Sequence, residues 1–256
     1  MLPMTGGRGR PARSFQIAVG NGARLADNIK RHLEGVPMIN CRMCDEMRAK
    51  SGRQPWNEPL IETENFVVIP SLGALVEGWV LVVPKKHRIS MGALPIALRA
   101  EAVEIERRTR AVLSNRYGKP VIAFEHGPSA ENHGTGCGVD HAHLHLVPLE
   151  CDLLTYVRPF VPASVEWKVS NWEDLAKAHT SGLDYLYLRQ ERENGLMAVS
   201  QDFGSQVFRK AVASFLSLDG QYSWHDHPRM ETVSRTIGAL TDALATQTGR
   251  ESEHVA

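Results

Sequence analysis

The row His141-Ala142-His143-Leu144-His145, followed by Leu146-Val147-Pro148, constrains this chain more than any other stretch. A strand repeats its side chains every two residues, so an extended run here places all three imidazoles on one face. The interleaved Ala142, Leu144 and Leu146 supply an apolar face that holds the strand against a core. The imidazoles are therefore presented by a rigid element. Two strand rises separate neighbouring rings by roughly 7 Å, too far for adjacent histidines to share one metal ion comfortably. Adjacent histidines should have different tasks. A polar-facing strand that happens to carry histidines, or a transition-metal cluster, are the competing accounts of the pattern taken alone.

What precedes the row points to phosphorus chemistry. Gly134-Thr135-Gly136-Cys137-Gly138-Val139 is a glycine-rich approach whose backbone N–H groups can come close to an anion without side-chain obstruction. A loop able to cradle phosphate thus runs into a row of imidazoles able to act as nucleophiles.

The 256 residues, 43% hydrophobic and 23% charged, can bury a substantial core as one large domain or two small ones. Lys+Arg and Asp+Glu both total 29. This balance gives no global argument for a nucleic-acid or membrane-surface partner. No apolar run approaches the roughly 18 residues of a membrane span, and residues 1–13 lack the apolar segment of a secretory signal. The expected location is cytoplasmic. The four cysteines, Cys41, Cys44, Cys137 and Cys151, are too few for a disulfide scaffold, and Cys41-Arg42-Met43-Cys44 suits a metal or redox pair better.

Along the chain, residues 1–13 read as a disordered tail and 23–34 as a short amphipathic helix. Two runs closed by proline, 65–70 and 78–84, predict a hairpin joined by the loop 71–77. Helical spacing over 94–116 predicts a long helix stopped by Tyr117-Gly118-Lys119-Pro120. Residues 121–125 predict the next strand, and the histidine strand follows the glycine loop. A helix packed on an antiparallel sheet makes the fold class α+β. After about Cys151 the chain changes character. Residues 152–170 read as irregular, 183–188 and 196–200 as a second hairpin, and 206–218 and 230–245 as helices. The expected organisation is a tail (1–13), a catalytic domain (14–150), and a C-terminal extension or small second domain (151–256).

Cys41 and Cys44 have the spacing of the soft half of a tetrahedral zinc site, which would need two further nitrogen or sulfur ligands. His87, directly after Val83-Pro84-Lys85-Lys86, and one histidine of the row are the candidates to complete it. His126, His133 and Cys137 are alternatives, and redox activity of the Cys-x-x-Cys pair competes.

Taken together, the Cys-x-x-Cys, the strand ending Val-Val-Pro-Lys-Lys-His, the long helix and the glycine loop running into His-x-His-x-His resemble the histidine triad (HIT) superfamily. The match spans about residues 40–148 and is most similar to the zinc-containing branch that includes galactose-1-phosphate uridylyltransferase, bacterial HIT hydrolases and diadenosine polyphosphate phosphorylases. The resemblance implies a HIT-like antiparallel sheet with a long packed helix, and a structural zinc ion held by Cys41, Cys44, His87 and His141. It further implies that His143 is the nucleophile towards the α-phosphorus of a nucleotide or similar ester. The backbone of Gly136, Cys137 and Gly138 and the side chain of His145 would supply donors to the phosphoryl oxygens. Relatives in this superfamily are commonly dimeric, so a homodimer is the expected assembly.

The chain departs from the family's pattern at three points. Gly138 stands where small members carry a serine at the leaving group, Glu125-His126-Gly127 where an asparagine sits before the loop, and Ser71 where a ribose-binding aspartate is often found. An insertion, 128–133, also lengthens the loop. Glu125 and His126 are candidate substrate contacts against the plain alternative of a loop histidine. Arg209, near the start of the 206–218 helix, is a candidate phosphate contact against the alternative of an exposed basic turn. His225-Asp226-His227, without an apolar strand beside it, reads as a loop.

Three functions follow. The first is a zinc-stabilised nucleotide hydrolase or nucleotidyltransferase acting through covalent His143. A second is the same fold acting on a non-nucleotide phosphate or phosphoramidate metabolite. The third is a non-catalytic phosphate- or nucleotide-binding module, which the intact set of His141, His143 and His145 argues against.

Overall fold

The structure is a computed structural model that describes residues 41–48, 54–132, 134–136, 138–190 and 194–253, with side chains described to residue 245. The tail and the helix expected over 23–34 lie outside these residues, as do His133 and Cys137.

Eight strands form one sheet among the described residues: β1 (Ile61–Glu62), β2 (Phe66–Pro70), β3 (Val80–Pro84), β4 (Val121–Gly127), β5 (Leu144–Pro148), β6 (Lys168–Ser170), β7 (Tyr185–Arg189) and β8 (Gly195–Val199). Their order is β1-β2-β3-β5-β4-β7-β8-β6, and every pairing is antiparallel. The helices are α1 (Arg42–Arg48), α2 (Ile96–Tyr117), α3 (Leu153–Val157), α4 (Trp172–Thr180), α5 (Val207–Phe215) and α6 (Met230–Glu253). The α+β class read from the sequence is what the chain folds into. The later hairpin, β7 with β8, does not start a new sheet, because β7 pairs directly with β4 from Ala123↔Arg189 to Gly127↔Tyr185.

Strand alternation sorts the sheet's residues between two cores. Phe66, Val68, Val80, Val82, Ala123, Leu144 and Leu146 face one side, where Ile105 and Leu113 of α2, Leu175 of α4 and Leu240 of α6 pack. Trp79, Ile122, Phe124, Val147, Leu186 and Leu188 face the other, under Leu153 and Val157 of α3 and Val207, Phe208 and Val212 of α5. On this second side the sheet is also covered by α1, whose Met43 and Met47 pack on Val67, Leu81 and Val83. Because Leu81 is the register partner of His145 and Phe124 that of His145 on the other flank, the third histidine lies between the α1 cover and the α5 cover.

The long helix starts two residues later than its periodicity implies, since Pro95 occupies the N-cap and fixes an extended backbone before the first turn. It stops at Gly118, whose φ of 63° suits the left-handed cap and whose N–H donates to the Ser114 carbonyl at 2.9 Å. Inside this helix Glu106 is fully buried, accepting from Arg110 Nε at 3.1 Å and from Arg189 of β7. Arg110 continues to the Val121 and Arg189 carbonyls. One carboxylate thus joins helix and sheet through two guanidinium groups. Removing it strands two partly buried cations, so Glu106→Ala is expected to cost about 3 kcal/mol in urea denaturation, with a loss below about 1 kcal/mol contradicting the clamp.

Candidate active site and metal centre

Cys41 precedes α1 and Cys44 lies within its first turn, His87 follows β3, and His141 ends the glycine loop. Their donor atoms all lie within 4.8 Å of one another. The Cys41 Sγ–His141 Nδ1 distance is 3.3 Å, and Cys44 Sγ is 3.5 Å from both His87 Nδ1 and His141 Nδ1. A tetrahedral ion with sulfur ligands at about 2.3 Å and nitrogen ligands at about 2.0 Å requires an S···N edge of about 3.5 Å. The spacing therefore fits a metal ion. The far ring nitrogens are occupied in the sense such a site needs: His141 Nε2 donates to the Pro84 carbonyl at 2.8 Å, and His87 Nε2 lies 3.3 Å from Glu131 Oε1. Burial and the neighbouring Cys41 push the Cys44 thiol up to about 12. The Cys44 thiol is thus a poor thiolate unless a cation compensates it.

His143 and His145 have a different environment. The strand proper begins at Leu144, three residues later than the period of the row implies. His141 and His143 sit in its extended lead-in, held by His141 N–H to the Val139 carbonyl (2.9 Å) and Ala142 N–H to the Arg88 carbonyl (2.6 Å). Ala142, Leu144 and Leu146 still pack into the first core. His143 Nδ1–H donates to the His141 carbonyl at 2.6 Å. That bond fixes the tautomer and leaves Nε2 as the ring's lone-pair nitrogen. Burial, reinforced by the nearby Arg209 cation, holds its pKa below the usual histidine value. The His143 and His145 rings approach to 4.9 Å between centroids, closer than backbone spacing alone indicates, because the rings lean together.

Both rings line a cleft of about 600 Å³, walled by Ile69, Ser71 and Leu81 of the first hairpin, Arg42 and Met43 of α1, Val139 of the loop, Arg209 of α5, and Trp224. Arg209 is buried, with its Nε donating to the Tyr222 carbonyl at 2.8 Å and Nη2 donating to that of Gly73. The exposed basic turn considered for this residue is therefore not what the fold makes of it. Gly73 admits this approach, since a Cβ there would lie 2.8 Å from Arg209 Nη2 and 2.7 Å from Trp224 Cα. Ser71 lies in the cleft with its hydroxyl on the Leu72 carbonyl.

Other residues singled out by sequence are placed elsewhere. Gly136 and Gly138 are not among the described lining residues. Gly138 adopts a φ of 80°, and the loop is pinned instead through Thr135 and Ser129, both donating to Asp184. His126 does not line the cleft: its Nε2 accepts the Phe208 N–H at 3.3 Å, at the first turn of α5. Burial lowers it to about 3, which leaves it a neutral acceptor. Glu125 does not line the cleft: strand alternation turns it to the opposite face from Phe124 and His145. There it accepts from the Met91 N–H and the Tyr185 hydroxyl, both at 2.6 Å. Lys85 reaches Glu62 and the Thr63 carbonyl. His225 stacks on Trp224 at 3.5 Å in a turn, as the loop reading of that segment expected. Sequence reasoning missed Trp79, whose indole donates to His145, and Asp184; neither belongs to a motif.

Comparison with known proteins gives the following. The fold is similar to a histidine triad nucleotide-binding protein of Sulfolobus tokodaii (21% identity, 44% of this chain and 71% of that one, TM-score 0.34). It is similar to a HIT family hydrolase of Clostridium thermocellum (19% identity, 45% and 95%, TM-score 0.32). It is also similar to a uridylyltransferase (9% identity, 71% and 86%, TM-score 0.34). These neighbours are histidine triad proteins and uridylyltransferases. No family model and no curated protein matches the chain. No helix among the described residues is long and apolar enough to cross a membrane.

Glu125 yields a pH dependence of stability. Burial raises its carboxyl to about 7 from the ordinary 4.5, so the folded chain holds that proton more tightly than the unfolded one. The contribution is complete below pH about 4.5 and is lost as pH rises through about 7. Thermal or urea denaturation between pH 5 and 8 should show the native protein losing on the order of 3 kcal/mol relative to Glu125→Gln, which cannot ionise. Parallel stability profiles would contradict the assignment.

Proposed function

We propose that this chain is an enzyme that cleaves phosphate esters or anhydrides, nucleotides being the substrate class, through a covalent phosphohistidine on His143. The observation that carries the reading is the 2.6 Å bond from His143 Nδ1–H to the His141 carbonyl, which leaves Nε2 unprotonated on a ring that lines the cleft. Nε2 attacks phosphorus and forms the P–N bond while the P–O bond to the leaving group breaks, its electron pair and a solvent proton going to the departing oxygen. The imidazole then carries a positive charge, which the His141 carbonyl stabilises through Nδ1–H. Water, or a phosphate or sugar phosphate acceptor, attacks phosphorus in turn. The P–N bond breaks, its electrons return to Nε2, and the acceptor's proton is released.

Cys41, Cys44, His87 and His141 would hold zinc, which suits two thiolates and two imidazoles and supplies no open coordination position when four protein ligands close the shell. Its contribution is to join α1 to the row of histidines. Arg209 lies near enough to influence both His143 and His145 and would balance phosphoryl charge.

A second reading, a non-nucleotide phosphate or phosphoramidate substrate, is favoured by one feature of the cleft. The sole carboxylate among its described lining residues is Glu46, which accepts Arg42 Nε at 2.6 Å. Ser71 offers no charged acceptor to a ribose diol. Turnover of a panel of nucleotides and non-nucleotide phosphoramidates separates the two.

Labelled substrate should leave acid-labile phosphorus on the native protein and none on His143→Ala, with turnover falling by on the order of 10³-fold or more. The His143→Ala protein should keep its metal. Cys44→Ser should lose the metal and melt roughly 5–10 °C lower. Equal metal loss in both variants, measured by elemental analysis, would overturn this division of labour, and a native protein without adduct on any phosphate ester would overturn the reaction.

A further inference from the structure

The tautomer of His145 follows from its neighbour. Its Nδ1 lies 2.9 Å from Trp79 Nε1, and an indole N–H can only donate. His145 Nδ1 is therefore the acceptor, and the neutral ring carries its proton on Nε2. This is the reverse of His143, whose proton sits on Nδ1. Two imidazoles 4.9 Å apart thus offer unlike atoms, a lone pair on one and an N–H on the other. A phosphoryl group needs both at once, a nucleophile for phosphorus and a donor for its oxygens.

Trp79 and Phe124 hold this arrangement and are backed by the C-terminal part of the chain. Trp79 is 0% exposed, and the Arg209 guanidinium lies 4.9 Å above its ring. The His145 ring stacks on Phe124 at 4.6 Å and 22°, and Phe124 stacks in turn on Phe208 at 4.7 Å and 27°. Two consecutive residues of α5 therefore press on the two aromatic plates flanking the histidine, Phe208 through Phe124 and Arg209 through Trp79. Strand register alone does not fix a ring's tautomer. This packing and its hydrogen bond do.

We infer that Trp79 is a positioning residue whose indole N–H locks His145 in the Nε2–H form, making that ring a hydrogen-bond donor to the transferred phosphoryl group, with α5 as its support. The inference rests on the proposed reaction at His143 for its catalytic half only, because the tautomer itself is read in the resting protein.

Long-range ¹⁵N–¹H NMR of the full-length protein, with the histidines assigned, is the test. Native His145 should show the Nε2–H pattern and His143 the Nδ1–H pattern. Trp79→Phe, which keeps an aromatic ring and loses the donor, should shift His145 towards a mixture of tautomers. It should lower kcat by about 10- to 100-fold with KM little changed. Trp79→His, which restores an N–H, should recover part of both. A native His145 protonated on Nδ1, or an Nε2–H pattern unchanged in Trp79→Phe, overturns the inference, and the native spectrum decides even if the variant does not fold. A normal tautomer shift with unchanged kcat overturns the catalytic half. Absence of any phosphorus adduct on native protein with the predicted native tautomers would sink the reaction and leave the tautomer lock standing.

Discussion

His141 is bonded at every polar atom it has. Its N–H donates to Val139, its Nε2–H to Pro84, its Nδ1 faces the two thiols, and its carbonyl receives the proton of His143. A single residue thus fixes the end of the glycine loop to the end of β3, to the start of α1, and to the ring beside it. The position of His143 in the cleft is inherited from these attachments, so the cluster of Cys41, Cys44, His87 and His141 and the ring of His143 form one mechanical unit.

Burial then separates the tasks of the row. The apolar residues at 142, 144 and 146 occupy one core, and this alone obliges His145 to face the other. The second face is covered in two pieces, by α1 over Leu81 and Val83 and by α5 over Phe124 and Trp79. The cleft is the gap between them. Arg42, near the start of the described residues, and Trp224, in the turn between α5 and α6, consequently meet there, with the Arg42 guanidinium 5.8 Å over the Trp224 ring.

Much of this was legible beforehand because it depends on local periodicity. The first hairpin, the long helix, the strand at 121 and the clustering of Cys41, Cys44, His87 and His141 all come from spacing or from the resemblance it carries. What escaped was either too short or non-local. Strands β1 and β6 have two and three residues, below any period. Helix α4 fell in a stretch left without assignment, although Asn171 and Asp174 form a capping box at its start. Glu125 lies away from the cleft because alternation along its strand places it opposite Phe124, and its partners Met91 and Tyr185 are distant in sequence. The tautomer of His145 depends on Trp79, 66 positions away, and no motif reports such a partner.

The continuous sheet has one further consequence. A strand's free flank is a row of backbone donors and acceptors awaiting another chain. β4, buried along its whole length, would present such a flank if the sheet ended there, but β7 occupies it from Ala123 to Gly127. Among the described residues the outermost strands are the two-residue β1 and the three-residue β6, which are poor templates for adding a foreign strand. The later hairpin thereby guards the histidine-bearing sheet against sticking to its own kind.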